Sequence, residues 1–334
     1  MNIYNEKGYL IIDKLNSLNT TFNLITGGRG TGKTFGLLEY AIDHGIKYIY
    51  LRRTQSIVDL ISSDDYSPLK SLARVKGLEC ATKKINKYVS AHYIGDSPEP
   101  VGYCMALSTF SNVRGFDSTD IKWIIYDEYI PERNGRPIKG EGDAFLNCYE
   151  TINRNRELDG EKPVKVWCAG NANNPSNPIF ISLGVVNIAR RAQEKKREIT
   201  ILRDRSISYI NLVDSPISLA KKETALYKAS KNAQFNAMSL DNTFGRVSED
   251  IKSVNLKGLN CIAAFDDIFA IYALKNGGYY ISEHVSGTPA IYTTSDIDVK
   301  RFKIKYQKVM SAYARNSLTF ESDFCLSVFA SILT

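Results

Sequence analysis

The sequence predicts an α/β protein whose larger part is a mostly parallel sheet with helices on both faces. Three observations predict this. Strand and helix signals alternate over the first two-thirds of the 334 residues. A short apolar strand, Phe22–Thr26, runs straight into the glycine-rich run Gly27-Gly28-Arg29-Gly30-Thr31-Gly32-Lys33-Thr34 and then into a helix signal. A second apolar strand, ending Trp123-Ile124-Ile125-Tyr126, is followed at once by two carboxylates, Asp127 and Glu128.

Taken in order, Phe22–Thr26 is the first strand and Lys33–His44 the first helix. Lys47–Arg52, Val101–Leu107 and Lys122–Tyr126 are further strands. Glu141–Leu158 reads as a helix, with Glu141 and Asp143 in its first turn, where they oppose the helix dipole. Val164–Ala169 is the next strand. Residues 187–205 are basic and helix-like, carrying Arg190, Arg191, Lys195, Lys196, Arg197, Arg203 and Arg205. Asp214-Ser215-Pro216 starts a helix with Pro at its first position, expected to run to about Asn232. From about Ser239 the pattern changes. Cys261–Leu274 and Gly278–Glu283 flank the turn signal Lys275-Asn276-Gly277-Gly278, which predicts a hairpin. Ser295 with Asp298 makes a capping box opening a helix over about 296–315, and a last apolar helix covers 319–333. The expected organisation is a nucleotide-binding domain over 1–208, a small helical linker over 209–237 and a second α/β domain over 238–334.

Composition narrows the class. Hydrophobic residues make up 43% and charged residues 24%, enough apolar side chains for a sizeable core. No apolar run approaches the length of a membrane span, and the start MNIYNEKGYL has no basic-then-apolar leader, so a cytosolic protein is expected. The six cysteines are scattered and without histidine partners at zinc-ligand spacing, which reads as small buried side chains. A net charge of +7 permits a nucleic-acid partner without requiring one.

The chemistry lies in the glycine-rich run, which matches G-x-x-x-x-G-K-[ST] in full. Glycines let successive N–H groups curl around a phosphate, and the helix N-terminus adds its positive dipole end. Lys33 is expected to reach the β/γ oxygens and Thr34 to ligate Mg2+, while Arg29 either touches phosphate or sits on the rim. Asp127 would hold the magnesium through water, and Glu128 would act as general base on the attacking water. Adjacent Asp and Glu, with no NKxD guanine-reading motif, favour ATP over GTP. Asn171, after the strand ending at Ala169, is either a γ-phosphate sensor or part of a turn leading to Asn174-Pro175. Arg154 and Arg156 close the 141–158 helix; by themselves they read as a solvated helix end, with an arginine finger as the alternative.

Together, GGRGTGKT, Tyr50-Leu51-Arg52-Arg53, IIYDEYI, Thr151-Ile152-Asn153-Arg154-Asn155-Arg156-Glu157, and Gly170-Asn171-Ala172 followed by Asn177-Pro178 resemble the packaging ATPases of phi-29-like tailed phages. Order and spacing are similar over about 20–182, with a shorter echo at Met238–Asn242. The resemblance implies an additional-strand catalytic-glutamate P-loop ATPase and a C-terminal vestigial RNase H-like domain that has lost its nuclease. It further implies a homomeric ring, usually a pentamer, at the portal vertex of a procapsid in the infected bacterial cell. That ring would hydrolyse ATP to move double-stranded DNA; a scaffold RNA is an optional partner. Arg154 corresponds to the family's trans-acting finger, and Lys33, Thr34, Asp127 and Glu128 carry over directly. The stretch Ser108–Gly115 resembles a loop near the DNA channel; Phe110 stands where a relative has Lys, with Arg114 as a substitute.

For DNA phosphates the candidates are Lys83, Lys84, Lys87 and Arg114, against the plainer reading of the lysines as a solvated face. Two other functions stay open: a terminase-like motor that still cuts DNA, using Asp266, Asp267 and Glu283, and a P-loop ATPase that serves as an assembly switch.

Overall fold

The computed structural model describes residues 2–333 except 64, 114, 131–137, 139, 172–176, 230–250, 267, 294 and 316. The chain forms two compact units, Met1–Asn174 with Pro178–Gly245, and Arg246–Thr334 with Pro175–Asn177.

In the first unit the described elements run α1 (Ile12–Asn16), β1 (Phe22–Gly27), α2 (Lys33–Asp43), β2 (Tyr48–Arg52), α3 (Gln55–Ile61), α4 (Lys70–Lys76), β3 (Cys80–Lys84), β4 (Val89–Ile94) and β5 (Gly102–Ala106). They continue through β6 (Trp123–Asp127), α5 (Glu141–Asn153), β7 (Lys165–Gly170), α6 (Pro178–Ser182), α7 (Val186–Glu194), β8 (Ile199–Leu202), β9 (Ile207–Leu212), α8 (Pro216–Lys221) and α9 (Ala225–Ala229). The nine strands form one sheet in the order β3-β4-β5-β2-β6-β7-β1-β9-β8. Pairing is parallel from β5 through β9, and the additions at the two edges, β3, β4 and β8, are antiparallel.

Strand alternation splits the core across this sheet. Leu24, Leu51, Ile124, Tyr126 and Cys168 face one side and bury Phe145, Cys148 and Ile152 of α5 and Ala189 of α7. Ile25, Tyr50, Ile125 and Trp167 face the other and bury Leu37 and Leu38 of α2 with Leu72 of α4. The C-terminal ends of β1, β2, β6 and β7 therefore lie along one edge of the sheet, where ligands bind in open α/β folds.

Several expectations are corrected. The helix from Glu141 stops at Asn153, because Arg154 takes a positive φ of 50°. Residues 187–205 are not one helix. α7 ends at Glu194, Lys196 has φ 49°, and Ile199–Leu202 pairs antiparallel with β9. The apolar, β-branched Ile199-Thr200-Ile201 run decides this over the surrounding charge. The expected border at 208/209 falls inside β9, a wholly buried strand paired with β1, so residues 209–212 belong to the sheet rather than to a linker. Residues 213–229 do hold two short helices; the rest of the expected linker lies outside the described residues.

The second unit is a five-stranded sheet of β10 (Asn260–Phe265), β11 (Phe269–Ala273), β12 (Tyr279–Ser282), β13 (Ala290–Tyr292) and β14 (Leu318–Phe320), in the order β13-β10-β11-β12-β14. The hairpin β11–β12 turns at Lys275–Gly278, where Gly277 has φ 82°. β10 is a separate strand: the run Cys261–Leu274 is broken at Asp266, which has φ 43°. The 296–315 helix is two, α10 (Asp296–Lys305) and α11 (Gln307–Ala314), with Ser295 capping α10 by accepting from the Asp298 N–H. β14 takes the start of the expected last helix, and α12 (Asp323–Leu333) follows. Phe265, Phe269, Phe302 and Phe329 form this unit's aromatic core.

Candidate nucleotide site

β1 enters the glycine run between β7 and β9, and the backbone passes close to its neighbour. A Cβ on Gly27 would stand 2.7 Å from Leu212 Cδ1. Gly30 and Gly32 have φ of 77° and 85°, left-handed values that glycine adopts without strain. Gly32 is the N-cap of α2, so the first turn of that helix points its free N–H groups into the loop.

Lys33 is buried, and its Nζ donates to the Gly27 and Gly28 carbonyls at 3.0 and 2.8 Å. Burial lowers its pKa to about 8; Asp127 opposes that shift, while Lys221 and Arg29 add to it. The Thr34 hydroxyl donates to Asp127 Oδ1 at 2.7 Å. This hydroxyl and carboxylate, side by side at the phosphate loop, are the hard oxygen donors that suit Mg2+. The other Asp127 oxygen accepts from Tyr50 Oη at 2.5 Å and from Arg52 Nη1 at 3.2 Å.

Glu128 follows with φ 52°, a conformation that a non-glycine residue holds only under constraint. Its N–H donates to the Ala169 carbonyl at 2.7 Å, which fixes the backbone, while its side chain is 62% exposed and so free to meet water. That carboxylate forms an ion pair with Arg52 Nη2. Arg52 thus bridges the two acids. Its place was visible in the sequence only as a strand end, and the pairing of β2 with β6 brings it to the site.

An open cavity of about 300 Å³ is lined by Arg29, Gly30, Thr31, Gly32, Lys33, Thr34, Phe35, Asp127, Glu128, Ala169, Gly170 and Asn171. Asn171 is therefore brought to the same cavity as both carboxylates and the phosphate loop.

Other expected residues lie elsewhere. Arg154 is exposed at the end of α5, its Nη2 donating to the Phe116 carbonyl at 3.2 Å, and it does not line the cavity of its own chain. Arg156 is buried and donates to the Ile121, Ser118 and Thr119 carbonyls at 2.6, 2.7 and 2.9 Å. Lys83, Lys84 and Lys87 lie on the edge hairpin β3–β4. Lys83 sits 4.9 Å from the Tyr93 ring, Lys87 5.5 Å from the Tyr88 ring, and Lys84 pairs with Asp59 at 3.3 Å. Phe110 is 6% exposed and belongs to the core, so it is a packing residue rather than part of a charged grip. Arg114 and Asp267 lie outside the described residues. In the second unit Glu283 Oε1 accepts from Ser322 Oγ, and Glu321 Oε2 accepts from Ser282 Oγ, each at 2.6 Å.

The family model of the podovirus DNA encapsidation protein (Gp16) matches residues 5–333. The chain belongs to this family. Among its relatives, the DNA packaging protein of Bacillus phage phi29 is 24% identical, over 96% of this chain and 93% of that one. That of Bacillus phage B103 is also 24% identical, over 93% of this chain and 96% of its own. Two solved structures share the fold at 19% identity. The Phi-28 gp11 DNA packaging motor has a TM-score of 0.68 over 98% of this chain and 99% of that one. The bacteriophage Phi-29 genome packaging motor assembly has a TM-score of 0.63 over 99% of this chain and 100% of that one.

Proposed function

We propose that this podovirus encapsidation protein is the ATPase subunit of a ring that drives double-stranded DNA through the portal into a procapsid, in the cytoplasm of the infected bacterium. The observation that carries this reading is the meeting of Thr34, Asp127 and Glu128 at one phosphate loop in a member of this family. Lys33, Thr34 and Asp127 would hold Mg-ATP, with the loop amides available to its phosphates. Bound there, the metal would neutralise charge on the phosphate oxygens. Glu128 takes the proton of the attacking water. The exposed carboxylate can meet that water while one of its oxygens stays paired with Arg52. Asn171, which lines the same cavity, reports phosphate loss. The exposed Arg154 serves the site of a neighbouring subunit, which accounts for its lying outside its own cavity. A homopentamer is the expected ring, and a scaffold RNA is a further candidate partner.

The first unit is read as an additional-strand catalytic-glutamate P-loop domain, and the second as an RNase H-like domain that no longer cuts.

The test is steady-state ATP hydrolysis with and without double-stranded DNA, with Lys33→Ala as the blank. Strong DNA stimulation is expected. Hydrolysis indifferent to DNA, on rings assembled on procapsids, would instead favour an assembly switch. Plasmid nicking in Mn2+ would revive the nuclease.

A further inference from the structure

A second lysine stands at the phosphate loop without belonging to its motif. Lys221 ends α8, the helix that follows β9, and β9 runs parallel to β1 with Leu212 opposite Gly27. The sheet therefore delivers Lys221 to the loop. Its Nζ donates to the Arg29 carbonyl at 2.5 Å. A Cβ on Gly30 would lie 2.5 Å from that same nitrogen, so the absence of a side chain at Gly30 is what admits it.

The placement is braced from a second direction. Gly8 packs on α8, where a Cβ would lie 2.8 Å from Pro216 Cβ, and two residues later the Leu10 N–H donates to the Thr31 carbonyl at 3.2 Å. One short N-terminal segment thus ties α8 and the phosphate loop together. At its own start α8 is fixed by Ser215, which accepts from the Ser218 N–H.

The charge balance is the informative part. Lys221 is partly buried, and among the described residues no carboxylate pairs with it; its hydrogen bond is to a neutral carbonyl. Burial, and then the charge of Arg29, both work against its ammonium. Lys33 feels Lys221 as a like charge as well. Three cations, Arg29, Lys33 and Lys221, converge on one loop. A half-buried cation with no counter-ion costs free energy unless an anion arrives.

We infer that Lys221, which stands at the Arg29 carbonyl beside the cavity rather than in its lining, is a further cation of the nucleotide site, its positive charge acting on the polyphosphate end of the bound nucleotide. This rests on the nucleotide-site reading given above. It makes the contribution of Lys221 grow with the number of phosphates, as a charge contribution must. It also places a nucleotide-sensitive residue on α8, beyond the sheet and on the stretch of chain that leads to the second unit.

The test is titration of the full-length protein with AMP, ADP and the non-hydrolysable AMPPNP in Mg2+, comparing wild type, Lys221→Gln and Lys221→Arg. Lys221→Gln is expected to weaken AMPPNP by about tenfold, as for one charge-assisted hydrogen bond, ADP by less and AMP least. Lys221→Arg should restore most of the loss. Unchanged affinity in Lys221→Gln would overturn the assignment. So would an equal loss for all three nucleotides, or a failure of Lys221→Arg to rescue, either of which marks Lys221 as a brace for the loop. If wild type binds none of the three, the nucleotide-site reading itself falls, and that outcome is distinct from the others.

Discussion

At the scale of single residues, the site separates groups that the sequence presents side by side. Asp127 and Glu128 are adjacent, yet Asp127 is buried and bonded to Thr34 and Tyr50, while Glu128 is turned out by its positive φ. Glu128→Gln should keep nucleotide affinity within a few-fold of wild type and lose at least about 100-fold in turnover, the range expected of a general base. Wild-type turnover in that variant would remove Glu128 from the role. Arg154 and Arg156 divide in the same way. Arg156→Ala leaves three carbonyls without their donor and should lower stability by about 2–4 kcal/mol in chemical denaturation. Arg154→Ala should leave stability almost unchanged and abolish hydrolysis by the ring. Mixing it with Lys33→Ala subunits should restore part of the activity, since each supplies what the other lacks; no recovery in mixed rings would count against action in trans.

Between elements, the end of β2 links the nucleotide carboxylates to helix α5. Arg52 points to Asp127 and Glu128, and the next residue, Arg53, forms a buried two-point pair with Glu141 at 2.6 and 2.8 Å. Tyr126, just before Asp127, donates to the same Glu141 at 3.1 Å. α5 carries Arg154 at its far end, so this knot holds that helix in fixed relation to β6, which ends at Asp127. Removing one partner of a buried pair costs about 3–5 kcal/mol, and Glu141→Gln should show a loss of that order in a denaturant melt. A loss below about 1 kcal/mol would mean the knot is slack.

His92 on β4 gives the sheet a pH dependence. It is fully buried with Nδ1 3.0 Å from Tyr48 Oη, and burial lowers its pKa from 6.5 to about 4. As pH falls below 6.5 the unfolded chain takes up a proton that the folded chain refuses. The stability contribution is therefore complete above that value and drops by roughly 3 kcal/mol on the way to pH 4. A thermal melt series across this window should flatten in His92→Phe.

On the scale of the whole molecule, the DNA partner proposed above is a long charged track rather than a small ligand. The exposed lysines on the β3–β4 edge hairpin supply charge away from the nucleotide cavity. If they touch DNA phosphates, replacing Lys83 and Lys87 together by Ala should weaken binding equally across sequences. It should also make the slope of log affinity against log salt shallower by about two. An unchanged slope would return them to the role of a solvated face.

What the sequence determined by itself was whatever chemistry is carried by contiguous residues. The candidate phosphate loop puts glycines, a lysine and a threonine in one uninterrupted run, and the two carboxylates follow their own strand directly, so both stand out in spacing alone. The parallel sheet was legible for the same reason, as buried strands are continuous apolar runs. Strands whose burial is masked by charge were not: Ile199–Leu202 lies inside a basic stretch, and β9 was divided by a border that composition suggested. Arg52, Lys221 and the Arg53–Glu141 knot were decided only by tertiary structure. Their partners lie 75, 192 and 88 residues away in the chain, and such pairings come from strand order, which local periodicity does not encode.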